Sequence, residues 1–305
     1  MKINTVALVG FGAIGCVYAK NLNKNLRENF AVIAGGSRGE RIKAAGAVVN
    51  GEKVMPKVVD PNNTDFKADL VIFTVKNYQL QQALTDVKNI VTENTVFLTV
   101  LNGVTARDEI KAFYPDNTVL YGIGMGIDAV RNGGEISCKC EGTIQFGEAE
   151  NKVLSPAVKA VKEVFDLCGV GNEVFDDMIR TIWNKFMINV STNQLSAITG
   201  AGYGDFLKIP QLNKAMHGVM TEVITLANKK GINISEDDAF AYEEKLAGFA
   251  PKGQTSMLQD VLAERKTEVD YFSGVVIRMG KEEGVPTPWN DRLYLLIKSI
   301  EGLYK

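Results

Sequence analysis

The sequence predicts two domains of different classes: an α/β domain with a doubly wound parallel sheet over residues 1–175, and an all-helical domain over residues 176–305. Short apolar runs alternate with helix-like segments in the first half. A glycine-rich stretch follows the first apolar run. From Asp176 onward the strand patterns stop and long helical patterns take over.

The predicted strands of the first domain are rich in β-branched residues, as expected for strands buried on both faces of a parallel sheet. Helix-like segments separate them, so right-handed crossovers would make them parallel. Residues 127–147 change to turn glycines and shorter alternation, which is typical of antiparallel strands that close the sheet, and a helix near residues 155–167 follows. The predicted parallel strands are NTVALVG (4–10), FAVIAG (30–35), ADLVIFTV (68–75), TVFLTVL (95–101) and TVLYGI (118–123).

Helical periodicity dominates the second domain. Ser235 with Asp238, and Thr267 with Asp270, have the spacing of N-terminal helix caps. No linker of low complexity separates the two domains. The predicted helices cover about residues 177–199, 206–229, 235–248, 257–264, 268–283 and 288–303.

Composition excludes several function classes. The 305 residues carry a formal net charge of -2 without a basic block, which argues against a nucleic-acid partner. No apolar run approaches the roughly 20 residues of a membrane span, so we expect no membrane partner. The four cysteines form no CxxC pair, which favours a reducing cytoplasm, and a single histidine leaves no metal site to expect.

GFGAIG, at residues 10–15, lies where the first strand turns into a helix, and this context indicates a Rossmann-type dinucleotide site. The first glycine allows a tight turn, the second lets backbone N–H groups approach a pyrophosphate, and the third allows close helix packing. A glycine-rich turn without a ligand is the alternative. The predicted cofactor residues of this turn are Gly10, Phe11, Gly12, Ala13, Ile14 and Gly15.

The end of the second predicted strand favours NADPH over NADH. NAD sites usually have an acidic residue there to accept from the ribose 2′-OH. This chain has AGGSRGER instead, in which Ser37, Arg38 and Arg41 could donate to a 2′-phosphate. The alternative is that these arginines are solvated on a loop.

Two polar residues end neighbouring predicted strands. Lys76 ends VIFTVK, and Asn102 ends FLTVLN. Ligands of open α/β sheets lie beyond the carboxyl ends of the strands, so both could reach the nicotinamide end of the cofactor. Otherwise, Lys76 would point to solvent and Asn102 would only form a turn with Gly103.

WNKFMINVSTNQLSAIT, at residues 183–199, is an apolar helical pattern that carries Lys185, Asn189 and Asn193 at steps of four. A solvated face would be rich in Glu and Lys, whereas this stripe has small amides and one cation. The composition suits the floor of a cleft that binds a hydroxylated anion. A narrow solvent stripe is the alternative.

These stretches together resemble the ketopantoate reductase family, also called 2-dehydropantoate 2-reductases, over nearly the whole chain. The resemblance implies a Rossmann domain, a helical domain and an active site in the cleft between them. It rests on GFGAIG (10–15), TVKNYQ (74–79), LNGVTARDEI (101–110), WNKFMINVSTNQLSAITG (183–200), TSMLQDVLAERKTEVDYFSGVVI (255–277) and KEEGVPTPWNDRLYLLIK (281–298).

The resemblance implies a role for each matching residue. Lys185 matches the proton donor, and Glu268 matches the acid that reaches the catalytic region and the cofactor. Arg38 matches the usual 2′-phosphate arginine. The residues that match substrate contacts are Asn102, Lys185, Asn189, Asn193 and Ser256, and those that match nicotinamide contacts are Lys76 and Asn102.

Two of these matches have structural alternatives. Ser256 with Gln259 has the spacing of a capping box and could serve only that purpose. Glu268, next to Thr267, could serve only a helix dipole.

We therefore expect NADPH-dependent reduction of a small 2-oxo acid, 2-dehydropantoate, to (R)-pantoate in pantothenate and coenzyme A biosynthesis. One alternative is a related NADP-dependent reductase of another 2-oxo acid, because Tyr203 stands where some members have a substrate-contacting Asn. The other is a non-catalytic NADP(H) sensor, against which the complete set of catalytic matches argues. A homodimer is left open.

Overall fold

The computed structural model describes residues 1–304, which divide into two compact units. The sheet unit contains Met1–Leu101 and Thr105–Met178, and the helical unit contains Asn102–Val104 and the residues from Ile179 onward. The strands are β1 (Val6–Val9), β2 (Phe30–Ile33), β3 (Ala47–Val49), β4 (Glu52–Val54), β5 (Lys57–Val59), β6 (Leu70–Phe73), β7 (Val96–Thr99), β8 (Thr118–Met125), β9 (Ala129–Asn132), β10 (Glu135–Cys138), β11 (Thr143–Gly147) and β12 (Asn172–Glu173).

The helices of the first unit lie between these strands, and those of the second follow one another directly. They are α1 (Ala13–Leu26), α2 (Gly36–Ala45), α3 (Leu80–Asp86), α4 (Ala106–Phe113), α5 (Pro156–Cys168), α6 (Met178–Ile188), α7 (Gln194–Thr199), α8 (Asp205–Lys208), α9 (Pro210–Lys229), α10 (Glu236–Leu246), α11 (Ser256–Leu262), α12 (Ser273–Glu283) and α13 (Pro288–Glu301). Within residues 1–304, no helix is both long enough and apolar enough to cross a membrane.

The main sheet confirms the predicted α/β class. Within the described residues it has eight strands in the order β12-β11-β8-β7-β6-β1-β2-β5. Neighbours from β5 to β8 are parallel, and β11 joins β8 antiparallel. The central strands β1, β2, β6 and β7 are buried at every position, which explains why Thr99, at the end of β7, is their single polar residue.

The prediction that residues 127–147 close the main sheet is right for β11 only. Strands β9 and β10 belong to a separate four-stranded sheet of the described chain, in the order β4-β3-β10-β9, in which β10 pairs with β3. The Asn50 side chain donates to the Cys138 carbonyl at 2.7 Å and accepts from its N–H at 2.8 Å. Because this sheet joins segments far apart in sequence, alternation alone gave no sign of it.

The helical unit confirms the predicted all-helical class and packs around its own apolar core. Ser235 and Asp238 form the predicted capping box of α10. The predicted cap of Thr267 with Asp270 is wrong, because Glu268 is the N-cap of the short 3₁₀ turn Val269–Tyr271 and the next α-helix begins at Ser273. The Thr267 hydroxyl accepts from the Val269 N–H at 3.3 Å and donates to Glu301 at 2.7 Å.

The predicted helix over residues 177–199 is interrupted. α6 ends at Ile188, a π-helical segment covers Asn189–Asn193, and α7 begins at Gln194. Segments with i→i+5 hydrogen bonds are rare in proteins and occur often at functional sites.

Candidate active site

The glycine-rich turn between β1 and α1 packs closely against neighbouring backbone atoms at two of its three glycines. Gly10 has a φ of +107°, and a Cβ there would lie 2.7 Å from the Thr74 carbonyl carbon. A Cβ on Gly15 would overlap the carbonyl oxygen of Gly10. Gly12 differs, since no atom lies within 4 Å of its Cβ position. The protein's own packing therefore requires Gly10 and Gly15, whereas Gly12 leaves space for a ligand to approach the backbone.

The start of α1 suits an anionic group. Its first turn contains no acidic residue, and its N-cap, Gly12, has no side chain to accept from the first N–H groups. Ala13 and Ile14 form the first helical positions, and Phe11 is buried beneath the turn. A pyrophosphate at this position would meet the first N–H groups of α1 and the positive end of the helix dipole.

The predicted 2′-phosphate residues lie on a helix, not on a loop. Ser37, Arg38 and Arg41 are exposed residues of the first turns of α2. Desolvation of its guanidinium lowers the pKa of Arg38, and the nearby cations Arg131 and Arg41 lower it further. A cluster of cations of this kind is suited to bind a phosphate.

Arg131, on β9, is a residue that sequence reasoning missed. Its Nη1 donates to the carbonyl oxygen of Phe11 at 2.7 Å, within the glycine turn. It therefore adds a third guanidinium beside Arg38. No local pattern pointed to it, because only the second sheet brings β9 to this turn.

In the helical unit, five predicted site residues form one continuous line of hydrogen bonds. Ser256 donates to Asn193 Oδ1 at 3.2 Å, and Asn193 donates to Asn189 Oδ1 at 3.0 Å. Asn189 donates to Asn102 Oδ1 at 3.3 Å, and Asn102 donates to Glu268 Oε2 at 3.3 Å. We call these residues the polar line. Each amide donates toward Glu268, so the carboxylate is the final acceptor.

The π-helical segment changes the angle between Lys185 and Asn193 around the helix axis. Four residues of an α-helix advance by about 400°, so a strict α-helix would leave Asn193 about 80° around the axis from Lys185. A π-helical turn has more than four residues, and four of them complete less than one turn. The segment over Asn189–Asn193 therefore rotates Asn193 back toward Lys185, closer than the periodicity of the sequence suggested.

Lys185 and Glu268 interact electrostatically at the end of this line. The residue Lys185 is partly exposed, yet desolvation of its ammonium lowers the pKa to about 8, and the Glu268 carboxylate opposes that shift. Glu268 is itself only 4% exposed, which places its charge where water screens it poorly. The pair is suited to hold and release a proton near neutral pH.

The structural alternatives for Ser256 and Glu268 do not hold. Thr255, not Ser256, is the N-cap of α11, and its hydroxyl accepts from the Leu258 N–H at 3.2 Å. Ser256 is therefore available to Asn193. Glu268 precedes only a short 3₁₀ turn, Val269–Tyr271, and its carboxylate accepts from Asn102.

Lys76 follows β6 in the sheet unit. Its backbone N–H donates to the Gln79 side chain at 3.1 Å, which fixes a 3₁₀ turn over Asn77–Gln79. Asn102 belongs to the helical unit through the contacts described above. The predicted contact of both residues with a nicotinamide ring stays a prediction.

Tyr203 is hydrogen-bonded through its backbone to the segment that precedes Ser256. Its N–H donates to the Gly253 carbonyl at 3.1 Å, and its ring meets Phe249 edge to face, with centroids 5.1 Å apart. The Tyr203 backbone thus contacts the chain three residues before Ser256, at Gly253, and Phe249 lies seven residues before Ser256.

A dinucleotide-type turn on a parallel sheet, combined with a lysine–amide–glutamate cluster on a helical unit, is the arrangement expected of a two-unit oxidoreductase. The profile described as "Ketopantoate reductase PanE/ApbA" matches residues 6–151, and "Ketopantoate reductase PanE/ApbA C terminal" matches residues 177–301. The chain belongs to the ketopantoate reductase family.

Individual relatives cover the full length of the chain. The 2-dehydropantoate 2-reductase of Archaeoglobus fulgidus is 27% identical over 302 residues, which are 99% of each chain. The crystal structure of a PanE/ApbA family ketopantoate reductase from Ralstonia eutropha is similar with a TM-score of 0.85 and 27% identity over 98% of each chain. D-mandelate dehydrogenase with NADH and anilino(oxo)acetate is similar with a TM-score of 0.87 and 25% identity over 98% of each chain.

Proposed function

We propose that this protein reduces 2-dehydropantoate to (R)-pantoate with NADPH, a step toward pantothenate and coenzyme A. The observation that carries the proposal is the polar line from Ser256 to Glu268 beside the desolvated ammonium of Lys185. The names of the family and of the relatives support the same activity.

The residues of the helical unit account for the proton that the reaction needs. Reduction of a ketone adds a hydride to the carbonyl carbon and a proton to its oxygen. NADPH, when bound, supplies the hydride. Lys185 donates the proton, so the products are an alcohol and a neutral amine that solvent reprotonates. Before transfer, the carboxylate of Glu268 favours the charged form of Lys185.

The amides of the polar line suit an oxo acid that also carries a hydroxyl group. An Asn side chain both donates and accepts, so Asn189 and Asn193 can exchange a hydrogen bond within the line for one to substrate. Ser256 is exposed, and its hydroxyl can turn from Asn193 to a substrate carboxylate. The line thus binds by replacing existing hydrogen bonds, which leaves no buried amide unpaired before or after binding.

Space at Gly12 and the cations of α2 support NADPH as the cofactor. Arg38→Asp should weaken NADPH at least tenfold more than NADH, because a carboxylate repels the 2′-phosphate and can accept from a ribose 2′-OH. The matched control is Lys159→Asp, an exposed cation of α5 in the same unit. If steady-state kinetics showed an equal loss of affinity for NADPH and for NADH, Arg38 would not be a ligand of the 2′-phosphate.

The direct test of the activity is the consumption of reduced nicotinamide when purified protein, NADPH and 2-dehydropantoate are mixed. Loss of the near-ultraviolet absorbance of NADPH, with pantoate formed in equal amount, is the expected result. Tight NADPH binding without turnover on any oxo acid would instead support the non-catalytic sensor.

A second candidate is reduction of an aromatic 2-oxo acid. The pair of Tyr203 and Phe249, joined through Gly253 to the segment of Ser256, favours it. The likeness to D-mandelate dehydrogenase supports it as well. A higher kcat/KM for phenylglyoxylate than for 2-dehydropantoate would establish this candidate, and Tyr203→Asn should then reverse the order.

The assembly and the location of the protein stay predictions. We expect a cytoplasmic enzyme, since its cysteines Cys16, Cys138, Cys140 and Cys168 are free thiols. Size-exclusion chromatography with light scattering would decide between a monomer and a homodimer.

A further inference from the structure

A second set of buried polar side chains lies behind the π-helical segment, and the proposed proton transfer does not use it. Gln194, Ser273 and Asn290 are fully buried, and Glu222 is 7% exposed. Buried polar groups are costly unless each is hydrogen-bonded, so a complete network at this place has a structural cause.

Gln194 binds directly to the backbone of the π-helical segment. Its backbone N–H donates to the carbonyl of Ser191, not to that of Val190 four residues earlier. Its side-chain Nε2 donates to the Val190 carbonyl instead, at 2.6 Å. The backbone N–H of Gln194 is therefore used for a bond to the residue three positions earlier, and its side-chain amide supplies a donor to the Val190 carbonyl within the segment.

The other end of the Gln194 amide is held by α12. Its Oε1 accepts from the Ser273 N–H at 3.4 Å. Ser273 Oγ donates to Asn290 Oδ1 at 2.8 Å, and Asn290 Nδ2 donates to Glu222 at 2.8 Å. Glu222 also accepts from the Trp289 and Asn290 N–H groups at 2.6 and 3.1 Å, at the start of α13. The side chain of Gln194 is therefore fixed from α9, α12 and α13.

We propose that Gln194 is a positioning residue of the active site. It stabilises the π-helical segment and so keeps Asn189 and Asn193 aligned with Lys185. This inference rests on the proposed reductase function, because it assigns Gln194 to the binding of the oxo acid and not to the cofactor. Small misplacements of a reacting group reduce rates strongly, so loss of the segment should affect turnover more than folding.

The test begins with Gln194→Met, which keeps the volume of the side chain and removes both hydrogen bonds. We expect kcat/KM for the oxo acid to fall about tenfold to a hundredfold, with a raised KM and a lowered kcat. The Kd for NADPH should change much less than kcat/KM, because the glycine turn and the cations of α2 belong to the other unit. The matched control is Thr199→Val, which removes a side-chain hydrogen bond of 2.7 Å to the carbonyl four residues earlier, in α7 and outside the segment.

Gln194→Glu gives a readout that a merely structural role would not produce. A protonated carboxyl group can still donate to the Val190 carbonyl, whereas an ionised one repels it. Burial raises the pKa of a carboxyl group, so the variant should be nearly as active as the wild type at low pH. The ratio of its activity to that of the wild type should then fall as the pH rises, and the effect of Lys185 cancels in this ratio.

The outcomes separate the inference from the proposed function. If the wild type reduces an oxo acid and Gln194→Met does so equally well, or if Gln194→Glu keeps a ratio independent of pH, then Gln194 has no positioning role. If Gln194→Met does not fold, the pH dependence of Gln194→Glu alone decides. A wild type that reduces no oxo acid overturns both the function and this inference.

Discussion

The glycine turn and the polar line illustrate two ways of building a site. The turn uses six consecutive residues, 10–15, and the binding groups that we propose there belong to the backbone. The polar line collects side chains from four separated segments, at Asn102, Asn189 with Asn193, Ser256 and Glu268. Cofactor binding at the turn should therefore tolerate changes of its side chains and be lost when a Cβ is added to one of its glycines. The function of the polar line should tolerate backbone changes elsewhere in the chain and be impaired when one of its side-chain functional groups is removed.

The largest expected effect is that of removing the ammonium of Lys185. Lys185→Ala should lower kcat by about 10²–10⁴-fold, the range that a general acid contributes. The Kd for NADPH should stay within about twofold of the wild type, since the glycine turn is intact. Fluorescence titration and single-turnover kinetics measure the two quantities. Normal turnover of this variant would remove Lys185 as the proton donor.

Two glycines of the turn provide a matched pair for the backbone site. Gly15→Ala should lower the free energy of unfolding by about 1–3 kcal/mol, because its Cβ overlaps the Gly10 carbonyl. Gly12→Ala should leave the Tm unchanged, because its Cβ meets no atom within 4 Å, yet weaken NADPH by about tenfold or more.

Thermal unfolding and cofactor titration of both variants separate packing from binding. If Gly12→Ala bound NADPH as the wild type does, the space beside Gly12 would not be a cofactor site.

The pH dependence should identify Lys185 in the intact enzyme. Reduction needs the protonated amine, so kcat should be constant below the pKa of about 8 and fall about tenfold per pH unit above it. Oxidation of the alcohol needs the neutral amine and should rise over the same range. Glu268→Gln removes the carboxylate that opposes the shift, so both curves should move to lower pH. A profile that does not move would show that Glu268 is not coupled to the reacting proton.

The smallest expected effect is that of Ser256→Ala, which removes one hydroxyl group at the exposed end of the polar line. A hydrogen bond contributes about 0.5–1.5 kcal/mol, so KM for the oxo acid should rise about twofold to twelvefold at little cost in kcat. The control is Ser299→Ala, which removes an exposed hydroxyl that donates to Leu295 within α13. Equal KM values for both variants would exclude Ser256 from substrate binding.

Much of the fold was predictable because its signals are local. The buried strands β1, β2 and β6 are continuous apolar runs, β7 differs only by Thr99 at its end, and the cap at Ser235 is a pattern of four residues. The second sheet was not predictable, since β3 and β10 meet only through long-range pairing. The interruption of the helix at Asn189 was missed for a related reason. A side chain that stabilises it, Gln194, is itself held by contacts with α12.

The sequence by itself determined the parallel sheet, the glycine turn and the residue types of the polar line, because strand burial, turn geometry and helix spacing act over a few neighbouring positions. Only the tertiary structure decided that Arg131 lies at the glycine turn and that Asn102 and Glu268 complete the line. It also decided that the two amides, Asn189 and Asn193, lie on a π-helical segment. The physical reason is the range of the forces. Local sterics and burial periodicity depend on adjacent residues and can be recognised in the sequence. A hydrogen bond between residues 166 positions apart exists only after the chain has folded.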